Sequence, residues 1–160
     1  MEYKNFKIGE LFDIHPTKRY DLTNNDLFKK NGTTPVITNT SINNGIGGYT
    51  SLPATEKGNM ITFSDTTTGD AIFYQPDDFI GYSHIQGLYP KKNKEKWTEK
   101  SLLYFLTLFK KLAKGRFDYA TKFNRKIVSD MDVSLPINNS GNLDFKYMEQ
   151  YINDMQNELL

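Results

Sequence analysis

The stretch MITFSDTTTGDAIFYQ, residues 60–75, carries the clearest fold signal in this chain. Its first four residues are apolar or β-branched and predict a buried strand. A polar loop, SDTTTGD, follows at 64–70, and Ala71–Gln75 then predicts a second strand that ends before Pro76. Strands separated by polar loops predict a mixed or antiparallel sheet with the loops at its rim.

Segments of the same kind flank this stretch on both sides. Strands are predicted at 35–38, 79–82, 85–89 and 133–135, and FKIGELFDI (6–14) predicts a short strand or helical turn. Residues 39–51 combine Asn and Ser with three glycines, which predicts a loop. Within 33–68, 17 of 36 residues are Ser, Thr or Asn, so this region is rich in short hydroxyl and amide groups.

Two helices are predicted in the second half of the chain. Apolar residues recur at helical spacing between Thr98, a candidate N-cap, and Gly115, a C-terminal stop. The last segment carries a heptad pattern, and we expect its apolar positions to pack against a partner helix. These positions are Phe145, Met148, Ile152, Met155 and Leu159. The chain is therefore predicted to be of the α+β class, a small mixed or antiparallel sheet domain with long polar loops and a packed helix.

The net charge of +1 hides a separation of charge along the chain. Residues 91–126 hold 12 Lys and Arg against 3 Asp and Glu, a net charge of +9, and the other residues carry −8. A total near zero therefore does not exclude a polyanion such as nucleic acid as the partner. If nucleic acid is the partner, we expect the positive segment to fold onto the side that faces it and the acidic residues to lie mostly elsewhere.

Composition and motifs exclude several kinds of site. The lack of cysteine excludes disulfides and cysteine-ligated metals and suits a reducing cytoplasm, where we expect the protein to act. The chain has no glycine-rich phosphate loop, and its two histidines lack metal-ligand spacing, so we expect no metal or cofactor. The N-terminus lacks the apolar core of a signal peptide, and the longest apolar run is too short to span a membrane.

The candidate functional residues are polar or basic. Short amides and hydroxyls hydrogen-bond base edges and phosphates, while Arg and Lys neutralise phosphates. The candidates are Thr38, Asn39, Thr40, Ser41, Asn43 and Asn44; Ser64, Thr66, Thr67 and Thr68; Tyr82, Ser83 and His84; and Lys114, Arg116, Tyr119, Lys122, Asn124, Arg125 and Lys126. On composition alone the alternative stays open that they form ordinary loops and a solvated helix face.

Several stretches together resemble the target recognition domain of specificity subunits in type I restriction–modification systems, or of type IIB and IIG homologues. They are FKIGELFDI (6–14), residues 60–64 and 69–75, WTEKSLLYFL (97–106), FDYATKFNRKIVSDMDVSLPI (117–137) and DFKYMEQYI (144–152). The last two resemble the C-terminal end of the family's recognition domain, where a strand ending in Leu-Pro precedes the long helix of a coiled-coil spacer. The resemblance implies a recognition domain at 1–143 and the start of the spacer helix at 144–160.

The resemblance also implies a role, which is sequence-specific recognition of double-stranded DNA without catalysis. The chemistry would belong to partner subunits: a methyltransferase that binds S-adenosylmethionine and methylates adenine, and a restriction subunit that cleaves DNA. Specificity subunits typically carry two recognition domains and two spacer helices, whereas this chain has one domain and the start of one helix. We therefore expect either a fragment of a longer chain or a half-subunit that pairs with another copy.

Two other functions stay open on the sequence. The first is a protein–protein interaction module that uses the C-terminal heptads, with the basic segment merely solvated. The second is a small metal-dependent nuclease that uses Asp65, Asp70 or Asp77.

Overall fold

The computed structural model describes residues 1–28, 31–66, 69–115 and 123–159. Its elements in chain order are β1 (Glu2–Lys7), α1 (Ile8–Leu11), β2 (Phe12–Pro16), α2 (Asn24–Leu27), β3 (Thr34–Ile37), β4 (Ile46–Thr50), β5 (Met60–Ser64), β6 (Ile72–Gln75), β7 (Ile85–Pro90), α3 (Glu99–Ala113), α4 (Arg125–Asp130), β8 (Asp132–Ile137) and α5 (Phe145–Glu158). Single 3₁₀ turns lie at Asn43–Gly45 and Lys94–Lys96.

A four-stranded antiparallel sheet in the order β2-β7-β5-β6 forms the centre of the domain. The two strands predicted from residues 60–75 pair directly, from Met60 opposite Gln75 to Phe63 opposite Ile72. The predicted α+β class is therefore confirmed. Because β5 ends where β6 and β7 begin, Ser64, Ile72 and Ile85 lie at one end of the sheet, together with the loop residues next to them.

Helix α3 covers one face of this sheet. The alternation along β5 turns Ile61 and Phe63 toward α3, and the ring of Phe63 lies 6.2 Å from that of Phe109 between centroids. The helix begins as predicted at Thr98, whose hydroxyl accepts from the backbone N–H of Ser101 while the Ser101 hydroxyl accepts from the N–H of Thr98. This capping box satisfies two of the free N–H groups of the first turn.

Aromatic side chains fill the core at the end of the sheet away from these loops. The ring centroid of Trp97 is 4.9 Å from Phe12 and 4.9 Å from Phe145, and Phe105 lies 6.1 Å away. Trp97 is 2% exposed, and Phe12 lies opposite Pro90 at the last position of β7. We call these four residues, Phe12, Trp97, Phe105 and Phe145, the aromatic end.

The β3–β4 hairpin lies on the other face, over a small core formed by Ile37, Met60, Phe79 and Ile85. Two predictions were wrong in this region. Residues 39–51 contain strand β4 rather than loop alone, because Ile46–Thr50 pairs with β3. Residues 79–82 do not form a strand, because Phe79 bridges to Glu56 while Ile80 bridges to Val36 on a different segment.

Strands β1 and β8 pair from Glu2 opposite Ile137 to Lys7 opposite Asp132 and so hold the N-terminus beside the segment that precedes α5. The predicted strand at 133–135 is confirmed within β8, where Val133 and Leu135 are buried. Helix α4 was not predicted, because it has only six residues and no full apolar period. No helix in the described part of the chain is long and apolar enough to cross a membrane.

The packing of helix α5 contradicts part of the prediction that its heptad positions contact a partner helix. Phe145 and Met148 are 8% and 0% exposed because the first turns of α5 pack into the same core as α3. The hydroxyl of Thr98 donates to the Glu149 carboxylate at 3.1 Å, which ties the two helices together. Those two residues are therefore unavailable to a partner, whereas Met155 and Leu159 are 47% and 86% exposed and Ile152 is half-buried.

Candidate nucleic-acid interface

Asn39, in the loop at residues 38–45, contacts the loops at 64–66 and 82–84 at the end of the sheet opposite the aromatic end, and we call these three loops the polar rim. Asn39 connects all three. Its side-chain amide donates to the Ser83 carbonyl at 3.0 Å, and its Oδ1 accepts from the hydroxyls of Ser64 at 2.6 Å and Thr66 at 3.3 Å. The rim is therefore held by side-chain hydrogen bonds between loops that are distant in sequence.

Burial separates supporting residues from residues that a ligand can reach. Ser64 is 0% exposed and bonded to Asn39, so the prediction that it contacts bases is wrong. Asn39 is partly buried, and both its Nδ2 and its Oδ1 form hydrogen bonds within the rim, which gives it a supporting role. Ser41, Asn43 and Thr66 are exposed and remain candidates for contact with a ligand.

A second group of hydrogen bonds positions His84. Its Nδ1 lies 2.9 Å from Asp65 Oδ1, and Gln86 Nε2 donates to Asp65 Oδ2 at 2.8 Å. The Nδ1–H donates because a carboxylate only accepts, so the Nε2 atom of the ring is left for a ligand. The His84 side chain is 58% exposed, whereas that of Asp65 is 20% exposed.

From Asn39 the 38–45 loop extends along β6, and its tip is fixed to the last two residues of that strand. The Asn44 side chain donates to the Tyr74 carbonyl at 2.9 Å, and Gln75 Nε2 donates back to the Asn44 carbonyl at 3.1 Å. Asn44 has a positive φ of 55°, a conformation that asparagine tolerates better than most residues. Asn44 is thus a structural residue of the loop, while Thr38 closes its base by donating its N–H to the Gly45 carbonyl at 2.8 Å.

Of the remaining candidates in the first and third loops, Thr40 accepts from the Ile42 N–H at 3.3 Å, and Tyr82 donates its hydroxyl to Asn24 at 2.6 Å. Both side chains are partly exposed. Tyr82 therefore links the rim to the start of α2.

Cations lie beside the rim at the C-terminal end of α3. The Lys110 ammonium is 5.6 Å from the centroid of Phe73, and the loop tip reaches the same ring because Gly45 packs against it. Lys111 and Lys114 are exposed at the same end of α3, where they line a groove with Val133 and Ser134 of β8, and we call Lys110, Lys111 and Lys114 the rim lysines. None of them forms an ion pair with an acidic residue in the described ranges, so their charges are available to a ligand.

Helix α4 contributes two further exposed cations, Arg125 and Lys126, in its first turn. Asn124 precedes them as the N-cap, because its Oδ1 accepts from the Ile127 N–H at 3.0 Å. Phe123, just before the cap, is fully buried and lies 5.1 Å from Phe63 between ring centroids. The predicted contacts Thr67, Thr68, Arg116, Tyr119 and Lys122 lie outside the described residues.

The basic segment does not form one surface, contrary to the expectation from its sequence. Lys91 follows the last residue of β7, so the lysines from 91 to 96 lie near the aromatic end, opposite the polar rim. Lys91 is also paired with Asp13 at 3.8 Å. We call Lys92, Lys94 and Lys96, all exposed, the distal lysines.

The acidic residues do not support the nuclease alternative. Asp65 and Asp77 lie at opposite ends of the sheet, because the first follows β5 and the second follows its antiparallel neighbour β6. The Asp65 carboxylate is already engaged by His84 and Gln86. Among the described residues no group of three His, Cys, Asp or Glu side chains is placed to hold a metal ion.

Sequence reasoning missed Gln86, Gln75 and Lys110. The two glutamines are 5% and 2% exposed and lie inside strands, where a buried amide signals a hydrogen-bonding role. Lys110 was not among the candidates, and only the fold shows that it lies over Phe73.

Comparison with known proteins agrees with the fold. Two solved structures cover 98% of this chain: the S subunit of a type I restriction–modification system from M. genitalium, with 17% identity and a TM-score of 0.64, and the HsdS subunit from Thermoanaerobacter tengcongensis, with 15% identity and a TM-score of 0.59. The chain spans 41% and 38% of those two proteins.

A curated relative and a family model give the same assignment from sequence. The specificity subunit S.BcgI of a type II restriction enzyme from Heyndrickxia coagulans is 29% identical over 161 residues, which cover 100% of this chain and 45% of that protein. The model of the type I restriction modification DNA specificity domain matches residues 1–160. The chain therefore belongs to the family of type I restriction–modification DNA specificity domains.

Proposed function

We propose that this domain binds double-stranded DNA and selects its sequence through the polar rim. The observation that carries this proposal is the presence of exposed hydroxyl and amide groups in the polar rim and, at the C-terminal end of α3, of three lysines that form no ion pair with the described acidic residues. In protein–DNA complexes, basic side chains contact phosphates while polar loop side chains contact base edges, and the two groups of residues match this division. Membership of the specificity-domain family supports the same reading.

The individual roles follow from exposure. Rim lysines, with Arg125 and Lys126, contact phosphates and fix the register of the domain on the duplex. Ser41, Asn43, Thr66 and His84 contact base edges, while Asn39, Asn44, Ser64 and Asp65 hold the loops that carry them. The domain itself is non-catalytic and acts as the specificity component of a restriction–modification complex in the cytoplasm.

The proposal is tested by selection from a pool of duplexes with a random core, followed by fluorescence anisotropy on the recovered and scrambled duplexes. We expect an enriched motif, tighter binding to it than to the scrambled duplex, and an affinity that falls as salt rises. Recovery of no motif would overturn the proposed selection of sequence, and the lack of salt-dependent binding to any duplex would also overturn DNA binding.

We further propose that the end of α5 packs against another helix, in a second recognition domain of the same chain or another copy, and in the methyltransferase subunit that carries S-adenosylmethionine. An apolar groove supports this surface, and its walls include Tyr3, Tyr104, Tyr151, Met155 and Leu159. Exposed apolar grooves of this kind are typical of protein interfaces. This surface also serves the alternative function as a protein–protein module.

The partner surface is tested with the double variant Met155→Glu and Leu159→Glu. Sedimentation is measured for the protein by itself and in a mixture with the methyltransferase and restriction subunits that the neighbouring genes encode. We expect association of the unmodified chain and its loss in the variant, because two carboxylates placed in an apolar interface lose hydration. Equal association of both proteins would remove α5 from the interface.

A further inference from the structure

Ile42 is a large apolar side chain in the polar rim, and its surface is 72% exposed. It lies between Ser41 and Asn43, so hydrogen-bonding groups flank it on both sides. A single exposed aliphatic residue is common on protein surfaces and needs no special cause. What distinguishes Ile42 is that the backbone around it is held rigid.

Hydrogen bonds fix the loop on both sides of Ile42. Its carbonyl accepts from the Gly45 N–H at 3.0 Å, and its own N–H donates to the Thr40 hydroxyl at 3.3 Å. The two residues after it, Asn43 and Asn44, take positive φ angles of 52° and 55°. Asn44 is in turn bonded to β6 in both directions, through the Tyr74 carbonyl and the Gln75 amide.

This rigidity has a consequence for binding. An apolar side chain on a fixed loop tip loses little conformational entropy when it contacts a ligand. Gly45, at the base of the tip, packs against Phe73, and Lys110 lies over the same ring. The tip therefore projects from a surface that also carries a cation for the phosphate backbone.

We propose that Ile42 recognises the 5-methyl group of thymine in the major groove of the bound DNA. This inference rests on the proposed function and extends it to one base type. The thymine methyl is the apolar feature of the major groove, and side-chain methyl groups contact it directly. Ser41 and Asn43 beside it supply hydrogen bonds to the neighbouring base edges.

The test uses the 160-residue chain and the motif that it selects from the random-core pool. Each thymine of the motif is replaced in turn by uracil, which removes only the methyl group. We expect one position at which this replacement weakens binding roughly threefold to fivefold, as for the burial of one methyl group. Ile42→Ala is expected to bind the thymine and uracil duplexes equally at that position.

Two further variants control for indirect effects. Ile42→Val keeps a branched aliphatic side chain at the tip and is expected to preserve the preference for thymine. Leu22→Ala removes an exposed aliphatic side chain between β2 and α2, outside the rim, and is expected to leave the preference unchanged.

The outcomes separate this inference from the proposed function. If the unmodified chain selects no motif, both fail together. If it selects a motif but Ile42→Ala keeps the same ratio of thymine to uracil affinity, only the role of Ile42 is overturned. A uniform loss of affinity for every duplex, with no change in that ratio, also overturns thymine recognition.

Discussion

The two ends of the central sheet are built from different interactions. At the aromatic end, Trp97 contacts Phe12, Phe105 and Phe145, and all four are nearly or fully buried. At the polar rim, the side chains of Asn39 and Asp65 hold the loops through hydrogen bonds to other side chains and to the Ser83 carbonyl. The difference indicates that the aromatic end supplies stability, while the polar rim presents replaceable polar side chains on hydrogen-bonded loops.

Trp97→Ala is expected to cause the largest loss of stability among these variants. Truncation of a fully packed tryptophan costs about 3–5 kcal/mol of the free energy of unfolding. Urea denaturation followed by far-UV circular dichroism measures it, since Trp97 is the only tryptophan and fluorescence is lost with it. Trp97→Phe serves if the alanine variant does not fold, with a smaller loss expected. A loss below about 1 kcal/mol for the alanine variant would show that the aromatic end is not the main source of stability.

Asn39→Ala is expected to affect both stability and DNA binding. The change leaves the Ser83 carbonyl without its amide donor and leaves the Ser64 hydroxyl bonded only to Thr66, which costs about 1–3 kcal/mol in urea denaturation. It also frees three loops of the rim, so anisotropy on the selected duplex is expected to show weaker binding. The matched control is Ser41→Ala, an exposed neighbour whose loss changes stability by less than about 0.5 kcal/mol. Equal stability of the two variants would contradict the connecting role of Asn39.

Much of the fold was predictable because local signals agree with packing. The strands in 60–75, the N-cap at Thr98 and the strand at 133–135 all follow from alternation, capping and turn chemistry. Strand β4 was not predicted, since glycine-rich residues acquire a strand conformation only by pairing with β3. The burial of Phe145 and Met148 was missed for a similar reason: a heptad pattern does not show which surface the apolar residues cover.

The candidate site was predictable only in outline. Composition pointed to the loops and to the basic segment, but it did not separate Ser64, which is buried, from Thr66, which is exposed. The division of the basic segment between two ends of the sheet depends on the length and direction of α3. Charge counted along a sequence therefore does not give the charge of a surface.

The smallest expected effect concerns the tyrosines of the groove beside α5. Burial, with added contributions from Tyr3, Tyr147 and Tyr151, raises the pKa of Tyr104 to about 12 from an ordinary value of 10.0. Because the folded state holds the proton more tightly, this contribution to stability is complete below pH 10 and is lost as the pH rises toward 12. Tyr104→Phe is expected to show a shallower fall of stability over this range in urea denaturation. An unchanged slope would contradict the burial of the phenol.

The most direct test of the account compares the rim lysines with the distal lysines. The triple variant Lys110→Gln, Lys111→Gln and Lys114→Gln removes the same charge as the triple variant Lys92→Gln, Lys94→Gln and Lys96→Gln. The slope of log affinity against log salt on the selected duplex is measured for both, with melting temperatures as a check on folding. If each rim lysine contacts one phosphate, the rim variant reduces the magnitude of the slope by about 2.7, and the distal variant leaves it unchanged. Equal slopes for the two variants would contradict the assignment of DNA binding to the polar rim.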